Sequence, residues 1–218
     1  MRDSMFAPQA VFQQAQSPAM WLFSAERLRN AAETILTDQL EQEVPYFRAV
    51  DAASEAAQRA LVSNPDKPAM AEIQCEPPNY LPARVLYAFS MENALKGLAI
   101  ARKPELVGAQ NVDRALLSHD LNRLSTLASF TLAVQEAPIL RALSHIGEWA
   151  GRYPVARNIN QHIASNRVHR DPNELLDWGS QHPIMRGCCA RMIDDLKTAL
   201  PSSPSHFGVI VALPPRLE

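Results

Sequence analysis

Residues 85–102, Val-Leu-Tyr-Ala-Phe-Ser-Met-Glu-Asn-Ala-Leu-Lys-Gly-Leu-Ala-Ile-Ala-Arg, limit what this chain can fold into more than any other stretch. On a helical wheel Leu86, Phe89, Met91, Leu95, Leu98 and Ile100 leave no wide polar stripe. A helix apolar on every side has to be wrapped by other helices. Two ionisable residues interrupt it, Glu92 and Lys96, four apart with the acid first, so they share a face and can pair. A charge pair on a central helix costs desolvation unless each member finds partners. The pair therefore either lies near the edge of a bundle or lines a polar pocket.

The rest of the chain agrees with helices around a helix. Aromatics make up 6% of the residues and glycines number only seven, which disfavours an all-β sandwich, and no Asn-Gly or Asp-Gly hairpin signal occurs. Alanine and leucine dominate, which favours helix. The net charge of −2 provides no global positive field, so any polyanion site is local. Cysteines at 75, 188 and 189 form neither a disulfide framework nor a metal-binding spacing, and they suit a reducing cytoplasm. The first ten residues lack an unbroken apolar run, so no signal peptide is expected. The apolar run from Phe207 to Leu213 is too short to cross a bilayer, and no membrane association is expected.

Read in order, residues 1–16 are rich in Gln and Ala and are expected to be poorly ordered. Ser17-Pro18 reads as a helix start, and Trp21, Ala25, Leu28, Ala32, Ile35 and Leu40 keep helical spacing to residue 43. Pro45 marks an expected break or kink, with helical periodicity resuming over 46–62. Five prolines in residues 63–82 predict a long loop. After the central helix, 103–117 reads as loop with a short helical piece. A helix follows with Ser118 or Asp120 as cap and Leu121, Leu124, Leu127 and Ala128 as its stripe. Pro138 opens the next, with Leu140, Leu143, Ile146 and Trp149 facing inward and Gly151 as its stop. A short helix over 155–166 is possible, and Asp171-Pro172 begins a last helical region. That region is expected to break around Gly179 to Pro183 and resume through Met185, Cys188, Cys189, Met192, Ile193 and Leu196. Residues 167–200 thus form a helical extension and 201–218 a proline-bearing flexible tail.

Three constellations follow one another: Glu92-Asn93-Ala94-Leu95-Lys96 on the central helix, His119-Asp120-Leu121 at a helix start, and Gly151-Arg152-Tyr153-Pro154 at a helix end. In this order and at these places they resemble the HEPN family of all-α domains, over residues 18–160 or so. The resemblance implies an up-and-down helical bundle over residues 17–166, commonly a dimer, that binds nucleotides or RNA without metal or cofactor. It implies a nucleotide site of Lys96, His119, Arg152 and Tyr153, supported by Glu92, Asp120 and Pro154. Many members act in toxin–antitoxin or phage-defence systems, and a nucleotidyltransferase or antitoxin is an implied partner. The ribonuclease members carry an Arg, four to six residues, then a His. Arg157-Asn158-Ile159-Asn160-Gln161-His162 matches that pattern, which gives an alternative function as a metal-independent endoribonuclease.

Physical chemistry supplies the same roles. Cleaving RNA without a metal needs a base for the 2′-hydroxyl and a cation for the phosphate, which suit a neutral His and an Arg guanidinium. Residues five apart on a helix point about 140° away from each other, so Arg157 and His162 would meet best across a dimer axis. From Arg141 to Arg170 there are five arginines, three histidines and one acid, a local basic surface in an acidic chain. Each constellation also has a structural reading. Glu92–Lys96 can be a helix pair, His119 a residue that bonds a neighbouring helix, Arg152-Tyr153 a seal on a helix end, and Cys188-Cys189 small core residues. In that case the chain is a helical interaction protein.

Overall fold

The computed structural model describes residues 12, 14–65, 72–108, 110–150 and 178–200, with backbone alone at 149–150 and 178–180. Among the described residues the chain forms five named α-helices: α1 (Pro18–Ser63), α2 (Leu81–Arg102), α3 (Leu121–Leu127), α4 (Glu136–His145) and α5 (Trp178–Ala199). Two 3-10 turns, Pro104–Leu106 and Arg114–Leu117, lie between α2 and α3, and a π-helical turn, Ile146–Ala150, continues α4. The described residues contain no strand, only one isolated bridge between Val107 and Val112. The class is all-α, a helical bundle.

The hydrophobic argument for a wrapped central helix holds. α2 buries Ala83, Tyr87, Met91, Ala94, Leu95, Leu98 and Ala99, and it packs against α1, α3, α4 and α5. Leu95 and Leu98 are fully buried as the pattern predicts, whereas Leu86 and Phe89 are only partly buried. Partner pairs set the directions. Tyr80, Tyr87 and Ser90 of the α2 side meet Glu43, Glu33 and Ala25 of α1 in reverse order, so α1 and α2 are antiparallel. Cys189 and Leu196 of α5 meet Ser90 and Gly97 in the same order, so α5 runs with α2. α3 also runs with α2, since His119, two residues before it, lies beside Glu92 and Ala128, the residue after it, beside Arg102. The connection over 103–120 therefore departs from strict up-and-down alternation.

Gly97 explains how three helices come so close. A Cβ on it would stand 2.8 Å from Leu196 Cδ2 on α5 and 2.8 Å from Trp21 Cβ on α1. Only a residue without a side chain lets both neighbours press on α2 at one level.

Two expected breaks are absent. α1 passes through Pro45 as one helix of 46 residues, about 69 Å long at the usual rise. Proline removes one amide donor and crowds the carbonyl four residues back. Here both Pro45 and Glu41 are exposed, so water can take the freed carbonyl. Likewise α5 passes through Pro183, which lies near the helix start, where one missing bond interrupts little. α1 ends at Ser63 and α2 begins at Leu81, and residues 72–80 between them are without helix, while 66–71 lie outside the described residues. Pro82 belongs to the first turn of α2, where an amide hydrogen has no partner in any case. The loop returns along α1, with Asn79 N donating to Gln39 Oε1 and the Tyr80 hydroxyl donating to Glu43.

Asp120, rather than Ser118, caps α3: its Oδ1 accepts from Asn122 N at 2.9 Å and Arg123 N at 3.1 Å. α4 starts two residues before Pro138, and Glu136 Oε2 accepts from Ala133 N at 2.7 Å. α5 is a wall of the core more than an appendage. Met185, Cys188, Cys189, Met192, Ile193 and Leu196 are buried against α2, α1 and α4. The expected short helix at 155–166 and the tail at 201–218 lie outside the described residues, as does most of the N-terminal segment.

Candidate functional site

Glu92 stands between two nitrogen-bearing side chains contributed by different parts of the chain, Lys96 and His119. Lys96, one turn further along α2, donates from Nζ to Glu92 Oε1 at 2.7 Å. His119, 27 positions away, places Nδ1 at 3.1 Å and 3.0 Å from the two oxygens of the same carboxylate. Local structure fixes both approaches. The four-residue spacing on α2 aligns Glu92 with Lys96. The Asp120 cap and the bond from Leu121 N to Ser144 Oγ, 2.9 Å, hold the start of α3 against α4 and so present His119 to α2.

The three residues differ in depth. The Lys96 side chain is 8% exposed, that of Glu92 14% and that of His119 43%. Lys96 Nζ also lies 6.0 Å from the centre of the Trp21 ring. Its ammonium is thus enclosed between a carboxylate and an aromatic face, which satisfies a buried charge. His119 is the outward member, and its Nε2 bonds to none of the described residues. A carboxylate can only accept, so Nδ1 must carry the hydrogen toward Glu92. In the neutral ring Nε2 then holds the lone pair.

Of the residues expected at the site, the structure brings Glu92, Lys96 and His119 together, and Asp120 caps the helix that follows His119. Arg152, Tyr153, Pro154, Arg157 and His162 lie outside the described residues. Among the described residues no group of three or more His, Cys, Asp or Glu could hold a metal ion. No helix searched is long and apolar enough to cross a membrane.

A second polar assembly was not singled out by the sequence. Glu33 of α1 accepts from Arg186 Nε of α5 at 2.8 Å and from the Tyr87 hydroxyl of α2. Burial works against the Glu33 carboxylate, but the Arg186 and Tyr87 hydrogen bonds outweigh it and hold its pKa below the usual range. One turn away along α2, the Arg84 guanidinium lies 5.7 Å from the Tyr80 ring centre, and the His182 ring meets that ring edge-on at 4.9 Å. Burial, with Arg84 adding repulsion, brings His182 down to about 4, so it is neutral at physiological pH. Burial lowers Arg84 to about 9, which leaves it charged. Burial also pushes the phenols of Tyr80 and Tyr87 up, reinforced by their bonds to Glu43 and Glu33. One signal was available: Tyr80, Arg84 and Tyr87 are spaced as one helical face, and three polar-tipped residues on the inner side of a central helix need partners. Cys188 and Cys189 are core thiols as expected, raised by burial to about 12 and about 11.

Among the described residues, the bundle and its Glu92-centred corner define an all-α class with an exposed imidazole, that of His119, held on a carboxylate. The chain matches no protein-family model, no curated protein and no solved structure.

Proposed function

We propose that this chain is a nucleotide- or RNA-binding module of the HEPN kind, acting as a dimer or with a partner protein such as a nucleotidyltransferase or antitoxin. The observation that carries the reading is the meeting of His119 with the Glu92–Lys96 pair, 3.0 Å from Nδ1 to the carboxylate across 27 positions of sequence. The resemblance implied these residues belonged to one site, and two separate segments supply them. Lys96 is the buried partner that holds the Glu92 side chain in place, and His119 is the residue that meets the ligand. The basic stretch from Arg141 to Arg170, which includes Arg152, adds the local positive field that phosphates require.

The test is fluorescence-polarisation binding of labelled RNA and of a nucleoside triphosphate to the full chain, as salt is raised. Wild type binds weakly and loses affinity with salt. His119→Ala and Arg152→Ala each weaken binding about tenfold, with unchanged helical circular dichroism. Wild-type binding that neither substitution alters would remove the site.

A further inference from the structure

We infer that the far end of α1 is a docking surface for a second copy of this chain, the two helix ends packing antiparallel across a two-fold axis. The inference is independent of the nucleotide reading. It starts from a mismatch of lengths. The Tyr80 hydroxyl sets the start of α2 level with Glu43, and His182, near the start of α5, meets the Tyr80 ring at that level. α1 continues through residues 44–63, about 30 Å further at the usual rise. The core and the partly buried hydrophobics packed against it include no residue of α1 beyond Leu40.

The core-facing stripe of α1 nevertheless goes on. At about 100° per residue, Val50, Ala57 and Leu61 fall within about 40° of the direction in which Ala25, Ala32 and Leu36 are buried. The charged residues of this stretch, Arg48, Asp51, Glu55 and Arg59, share an arc of about 80° turned away from it. Tyr46, Val50, Ala53 and Ala57 recur at the alternating spacing of a two-helix seam. Phe47 is 56% exposed and Leu61 45%.

Three features select a second copy as the occupant. The seam carries no charge, and the two basic and two acidic residues outside it cancel, so copies meet without like charges crossing. With the axis between Ala53 and Ser54, Tyr46 of one copy meets Leu61 of the other and Val50 meets Ala57, large against small, and each contact occurs twice. An antiparallel partner also keeps the direction of α2, which itself runs antiparallel to α1, so it prolongs the row facing α1 past the start of α2. About half of residues 46–63 face the seam, fewer than the roughly 20–30 a side of a standard interface, so the dimer is a weak one. Ser90 bonds Ala25, which puts Glu92 near the other end of α1, about 38 Å from Val50. The axis thus leaves each Glu92 corner to a single copy.

Sedimentation velocity on the full chain from about 1 to 200 µM tests the inference. Wild type passes from monomer to dimer with a midpoint of about 10–100 µM. Val50→Glu and Leu61→Glu each weaken association about tenfold or more with unchanged helical circular dichroism, because neither side chain belongs to the core of the monomer. Glu55→Gln, on the charged arc, leaves association unchanged. Oxidative cross-linking in a Cys75→Ser background reads the direction: Ala53→Cys, beside the axis, gives a disulfide-linked dimer, and Tyr46→Cys, far from it, does not. A wild type that stays monomeric leaves the face to a different protein and overturns the inference. A dimer that survives both glutamate substitutions lies elsewhere on the chain, and cross-linking of Tyr46→Cys as readily as Ala53→Cys makes the helices parallel. Either result overturns the proposed surface.

Discussion

Arg186 of α5 donates from both Nε and Nη2 to one carboxylate oxygen of Glu33, which lies 153 positions earlier on α1. This clasp joins the first and last described helices and encloses the Tyr87 hydroxyl of α2, which also donates to Glu33. Replacing Arg186 with alanine leaves the carboxylate without its cation. With the Arg186 side chain 40% exposed and water able to compensate in part, the loss is about 1–2 kcal/mol in urea denaturation. Glu33 is ionised more readily when folded than when unfolded. Its contribution is therefore present above the ordinary glutamate pKa and is lost as pH falls through the lower folded value. An Arg186→Ala chain with the same urea midpoint as wild type at neutral pH would show that the clasp adds no stability.

His182 gives stability a second pH dependence of opposite chemical origin. The folded protein holds it neutral down to about 4, while the unfolded chain protonates it near the ordinary value of 6.5. Between those limits the unfolded state binds more protons, so stability falls as pH drops from about 6.5 towards 4. Arg84 and Arg186 add repulsion and Glu43 opposes them, so burial decides the sign. In His182→Phe the slope of stability against pH over that window is shallower. Parallel profiles for the two proteins would place the titration elsewhere.

Gly97→Ala is expected to destabilise the bundle by about 1–3 kcal/mol, because the new methyl meets Leu196 and Trp21 at 2.8 Å. The contact with Trp21 is to its Cβ, so relief requires movement of the α1 backbone. Pairing Gly97→Ala with Leu196→Ala should recover part of the loss by opening one side, a coupling that a double-mutant cycle measures directly. Strict additivity would mean that the two sites do not touch.

Pro45→Ala restores the amide that α1 lacks and removes the ring from the carbonyl of Glu41. The expected gain is about 1–3 kcal/mol, confined to the helix around and beyond the substitution. Native-state hydrogen exchange reads it as slower exchange over residues 46–63. Unchanged protection there would mean that proline already costs this helix nothing.

How much of this was legible in the sequence follows from the range of each interaction. The wrapped helix at 85–102, a cap at Ser118 or Asp120 and the Glu92–Lys96 pair are set by residues within a few positions of each other, and periodicity and spacing expose them, while the structure chose Asp120 as the cap. Helix continuity through Pro45 and Pro183 was not legible. A proline's cost depends on whether the carbonyl it abandons meets water or stays near a helix end, and only packing decides that. That His119 shares a site with the Glu92–Lys96 helix was implied by a pattern of motifs, but the form of the approach, with Nδ1 on the Glu92 carboxylate, arises where the start of α3 docks on α2. In the seam of Glu33, Tyr87, Arg186 and His182 only the helical spacing of Tyr80, Arg84 and Tyr87 is local, and their partners belong to tertiary structure. Antiparallel α1 and α2 set the level, α5 running with α2 brings Arg186 and His182 to it, and no local rule connects residues 153 positions apart.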